Sequence, residues 1–99
     1  MAVPTGRIER RIAKEIVVEL VRPVPPQLEE AAATQNVSAR GMRVVTEHVW
    51  RPGDLLLVGS PETGLQTQAR IVYCQRLENK AFAVGLELLL AVEDWKKPP

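Results

Sequence analysis

With 99 residues, 45% of them apolar and 25% charged, the chain has material for one hydrophobic core in one domain and is not compositionally disordered. A formal charge of only +1 at pH 7 excludes the broad basic footprint of a general DNA or RNA binder. One cysteine and one histidine exclude an intrachain disulfide and leave too few ligands for a structural zinc site without many carboxylates.

A lone cysteine suits a reducing cytoplasm, and that is the expected compartment. The first twenty residues lack the apolar core of an export signal. The longest apolar stretches, such as Leu55 to Val58 and Leu88 to Val92, are too short for membrane insertion.

In chain order, residues 1–6 contain Pro4 and Gly6 without apolar periodicity and read as a flexible lead-in. Arg7, Arg10, Arg11 and Lys14 then form a local basic cluster, while acidic residues such as Glu29, Glu30, Glu93 and Asp94 lie elsewhere. Ile8, Ile12, Ile16 and Leu20 recur at helical spacing, but Glu15 to Val21 also alternates, and the β-branched run Ile16-Val17-Val18 favours a strand. Pro23, Pro25 and Pro26 stop that element, and a connecting loop is expected through Gln27 to Glu30.

Short strands are then expected at Ala31 to Val37, Met42 to Glu47, Asp54 to Gly59, Gln66 to Gln75 and Ala81 to Leu90, separated by turn residues. Thr67, Ala69, Ile71 and Tyr73 alternate with Gln66, Gln68 and Arg70, the pattern of a half-buried strand with the first set inside. Phe82, Val84, Leu86 and Leu88 repeat it after the polar link Leu77 to Lys80, so these two strands should pair antiparallel. Arg51-Pro52-Gly53 and Pro61 to Gly64 read as turns whose glycines accept a positive φ. The whole is expected to be all-β: a small antiparallel barrel of about six strands over residues 7–95, with a short tail at 96–99.

Two features flank these strands: Arg7 and Arg11, separated by three residues, and Asn36-Val37-Ser38-Ala39-Arg40-Gly41 between two expected strands. In this order and context they resemble the two motifs of the PilZ domain family, arginine-x-x-x-arginine followed by Asp or Asn-x-Ser-x-x-Gly. The likeness continues through Ala69-Arg70-Ile71-Val72-Tyr73 and the closing Val84-Gly85-Leu86-Glu87-Leu88, and so spans nearly the whole chain. It implies a receptor or adaptor that binds the second messenger cyclic di-GMP, signals to a downstream protein, and is not an enzyme. No cofactor, metal, DNA or RNA is implied.

The ligand-binding residues carried over by the resemblance are Arg7, Arg11, Asn36, Ser38 and Gly41, with Arg10 and Arg40 as auxiliaries. The chemistry fits. Guanine presents O6 and N7 as adjacent acceptors that a planar guanidinium meets bidentately, and lysine has no equivalent fork. Arginine also stacks on purine faces and pairs with phosphate. Asn36 and Ser38 offer short polar side chains to a ligand edge or to nearby backbone, and Gly41 permits a positive φ or a close approach. One bidentate guanine contact discriminates by about 1–3 kcal/mol, and micromolar affinity needs about 8 kcal/mol, so the two motifs must act together.

Gly6 precedes Arg7 where some relatives carry a further arginine that favours a stacked ligand dimer, which implies a single ligand molecule here. Leu88 stands where many relatives have phenylalanine, and no longer terminal helix follows Trp95, which implies that partner contacts made through it are absent.

The rival reading is a PilZ-like protein-interaction module that binds no nucleotide and works through Leu55 to Val58 or Leu88 to Trp95. A small hydrolytic or nucleic-acid-binding barrel ranks last, lacking a convergent catalytic set or a basic stripe. His48 reads as a surface histidine with no carboxylate placed beside it, Cys74 as a small inert strand residue, and Trp50 and Trp95 as packing residues.

Overall fold

The structure, a computed structural model, describes residues 13–62 and 64–89; Arg7, Arg10, Arg11 and Trp95 lie outside them. Six strands follow one another: β1 (Val17–Arg22), β2 (Leu28–Val37), β3 (Gly41–Thr46), β4 (Leu55–Gly59), β5 (Gln66–Arg76) and β6 (Phe82–Leu88). They close into a barrel in the order β1-β2-β3-β6-β5-β4, with β4 returning to β1. Every neighbouring pair is antiparallel. Closure gives each strand a neighbour on both sides, so among the described residues no strand stands as an open sheet edge.

Alternation along the strands puts Val18, Leu20, Val44, Leu56, Val58 and Leu86 inside the barrel, each 2% exposed or less. Trp50, on the link from β3 to β4, is the largest fully buried side chain and closes one end of the core. Burying side chains of this kind contributes roughly 1.5–3 kcal/mol each, which is how so short a chain sustains a core.

Turn chemistry agrees with the expectation at Gly53 and Gly64, with φ of +92° and +73°. The β5–β6 link is a single 3-10 turn, Glu78–Lys80, in which Asn79 and Lys80 also take positive φ.

Two local expectations are corrected. Leu28 to Glu30 belong to β2 rather than to the proline loop, because their backbone pairs with β1 as far as Arg22↔Leu28. Only residues 23–27, three of them prolines that cannot donate to a ladder, stay outside the paired strands. Tyr73 does not join Ala69 and Ile71 in the interior. The β5–β6 register shifts between Ile71 and Tyr73, and this bulge turns Tyr73 outward while Cys74 packs against the core.

Candidate functional site

Asn36 is the penultimate residue of β2, before Val37, and Ser38 and Gly41 frame the tight link from β2 to β3. The Ser38 amide donates to the Gly41 carbonyl at 2.8 Å. The Ser38 hydroxyl accepts from the Arg40 amide and donates to the Gly41 carbonyl, each at 3.3 Å. The Leu88 amide donates to the Arg40 carbonyl at 2.8 Å, which ties the turn to the end of β6. Ser38 is fully buried, so its side chain shapes the turn from within. Gly41 is buried in β3 opposite Glu87, and the positive-φ glycines of the described residues are Gly53 and Gly64. A positive φ is therefore not what places a glycine at Gly41.

Thr34, buried on β2, fixes the chain that leads into the barrel. Its hydroxyl donates to the Lys14 carbonyl at 2.5 Å and accepts from the Ile16 amide at 2.9 Å. Its own amide donates to the Ile16 carbonyl at 2.9 Å. The segment that follows the basic cluster is thus tied to β2 two residues before Asn36.

Between Thr34 and Asn36 the β2–β3 register shifts. A bulge places successive residues on the same side of a strand, so exposed Gln35 and half-buried Asn36 both serve the outer surface. The β5 bulge does the same on the far side with Val72 and Tyr73. Between the two irregularities runs one continuous cross-strand row, Asn36↔Arg43↔Gly85↔Tyr73, over β2, β3, β6 and β5.

Arg43 bridges this row. Its Nε donates to Gln35 Oε1 at 2.7 Å and its guanidinium to the Tyr73 hydroxyl at 3.0 Å. Its guanidinium carbon lies 5.8 Å from the centroid of the Tyr73 ring, within the range of a cation–π contact. The ring rests on Gly85, where an added Cβ would stand 2.2 Å from Tyr73 Cε2. The result is a shallow outer face that offers a planar cation, an aromatic ring and an amide, the groups that recognise a purine by stacking and by edge hydrogen bonds.

At the opposite end of the barrel, Glu30 collects donors. Its side chain is only 7% exposed. It accepts from Trp50 Nε1 at 3.1 Å and from the Glu47 amide, and His48 Nδ1 lies 3.1 Å from it. A carboxylate does therefore lie beside His48, contrary to the sequence reading. It is committed to holding the Trp50 plug, and its position came from pairing β2 with β3, which sequence spacing does not reveal. Asp54 works similarly nearby, with Arg22 at 3.4 Å and Arg51 at 3.5 Å.

The structure thus brings Asn36, Ser38, Arg40 and Gly41 together at one turn, while Arg7, Arg10 and Arg11 lie outside the described residues. Sequence reasoning missed Thr34, Gln35, Arg43, Tyr73 and Gly85. The available signal was a polar Thr34 at an inward position of β2; Arg43 and Tyr73, 30 residues apart, carry none. Among the described residues no helix is long and apolar enough to cross a membrane. A family model, the PilZ domain, matches residues 7–95, a span that takes in both motifs and all six strands. No curated protein matches the chain significantly.

Proposed function

The chain belongs to the PilZ domain family, and from that premise we propose that it is a cytoplasmic receptor or adaptor that binds cyclic di-GMP and signals to a partner protein. No covalent chemistry is involved. The observation that carries this reading is the outer row of Asn36, Arg43, Gly85 and Tyr73, which adjoins the Ser38–Gly41 turn and the anchored segment at Thr34.

Chain length supports the arrangement. Arg11 precedes Lys14 by three residues, and three residues span at most about 11 Å. The Thr34 bond to Lys14 holds the stretch that follows Arg11 beside β2, two residues before Asn36. In this reading Arg7 and Arg11 grip guanine and phosphate, and Arg10 assists. Asn36 meets a ligand edge, Ser38 holds the turn, and Gly41 leaves room for the ligand. Arg43 and Tyr73 add a stacking surface. Ordering the arginine segment costs about 1–2 kcal/mol per fixed residue, so only a short stretch closes over the ligand, and the altered surface is what a partner reads.

The test is calorimetric titration of cyclic di-GMP into the wild-type protein and into folded Arg7→Ala, Arg11→Ala, Asn36→Ala and Arg43→Ala variants. Saturable binding is expected in the wild type. It should be lost in either of the first two variants and weakened in the others, with cyclic di-AMP and GTP rejected. Absence of both heat and thermal shift would reject the receptor reading in favour of a nucleotide-independent interaction module.

A further inference from the structure

Gln35 is the extra residue of the β2 bulge: Thr34 pairs with Val44 and Asn36 with Arg43, and the register passes over the position between them. Bulges re-aim side chains, and here the exposed carboxamide of Gln35 meets Arg43, whose Nε donates to Gln35 Oε1 at 2.7 Å. The far end of the same guanidinium donates from Nη1 to the Tyr73 hydroxyl at 3.0 Å. Arg43, on β3, is therefore held from both sides, by one acceptor on β2 and another on β5. Nη2 takes part in neither bond, which leaves that amino group for a ligand edge.

Tyr73 is fixed as well. A Cβ on Gly85 would stand 2.2, 2.6 and 2.6 Å from Tyr73 Cε2, Cδ2 and Cζ, so one side of the ring lies against the Gly85 backbone, while the residue stays 37% exposed. An arginine that moves freely in solvent loses rotamer entropy when a ligand immobilises it. One that is already held loses less, and preorganisation of this kind raises affinity.

We propose that Gln35 is a positioning residue of the nucleotide site. By holding Arg43 Nε it keeps the guanidinium beside the Tyr73 ring, set to receive a guanine base by stacking, and it does so without touching the ligand. The bulge divides the work, giving Gln35 to the arginine and Asn36 to the ligand. The inference rests on the receptor reading and deepens it, since Gln35 lies outside both motifs.

Gln35→Met keeps the side-chain length and removes the acceptor at an exposed position, so the fold should be retained, which circular dichroism checks. In calorimetric titration with cyclic di-GMP it should bind about three- to tenfold more weakly than wild type, the cost of ordering one long side chain at a binding surface. In an Arg43→Ala background the same substitution should change affinity by less than about twofold, because Gln35 acts through Arg43. A ligand-free measurement reads the contact itself. The side-chain Nε–H resonance of Arg43, assigned by its loss in Arg43→Ala, should exchange with water more slowly in wild type than in Gln35→Met. Four results would each overturn the inference and leave the receptor reading standing: equal affinity of Gln35→Met and wild type, tighter binding by Gln35→Met as for a clasp the ligand must open, an undiminished loss in the Arg43→Ala background, or equal exchange of the Arg43 resonance in both proteins. A wild type that binds no cyclic di-GMP would overturn both.

Discussion

Where β2 turns into β3, Ser38 directs its hydroxyl to the backbone of its own turn. At the other end of the barrel Glu30 directs its carboxylate to Trp50 and to the Glu47 amide, and so holds a plug in place. Both are polar groups withdrawn from water and satisfied by hydrogen bonds, as burial requires. They differ in what they protect. Ser38 preserves the shape of a surface, whereas Glu30 preserves the closure of the core. Stability and binding should therefore separate along the barrel axis.

The largest effect expected is at the plug. Trp50→Ala removes the largest buried side chain and should cost about 3–5 kcal/mol, read from chemical denaturation. The fraction that stays folded should bind cyclic di-GMP with unchanged affinity; a parallel loss of affinity would break the separation of the two ends. Glu30→Ala comes next. It strips the acceptor from the Trp50 indole and the Glu47 amide, at about 1–3 kcal/mol. Glu30→Gln should lose less because its carbonyl still accepts, and equal losses in the two variants would show that the hydrogen bonds are not what matters there. Ser38→Ala should cost least in stability, about 0.5–1.5 kcal/mol for the turn's hydroxyl bonds, yet it should weaken ligand binding where both Glu30 variants do not. Unaltered affinity in Ser38→Ala would mean that the turn does not shape the site.

Legibility differed between the core and the site. The strands announced themselves through period-two apolar patterns, and Gly53 and Gly64 marked turns that the structure contains. That Asn36, Ser38 and Gly41 stand together where β2 meets β3 was readable because they are close in sequence and one local turn joins them. Glu30 beside His48, by contrast, arises from two strands lying side by side, and so does Arg43 beside Tyr73. Residues 18 or 30 apart leave no local trace of meeting. The two bulges hid more. Gln35 and Val72 each break the alternation from which faces are inferred, and a one-residue slip sends every following side chain to the other side. This is how Tyr73 came to be expected inside.

By itself the sequence determined that this chain is all-β, where its turns fall and which short motifs stand between its strands, because dihedral preferences and apolar alternation act over a few residues. Tertiary structure alone decided the closed order β1-β2-β3-β6-β5-β4, the outward turn of Tyr73, the row from Asn36 to Tyr73 and the exposed leucines of β4. Those depend on which strands meet and in what register, and that is settled by the packing of one shared core.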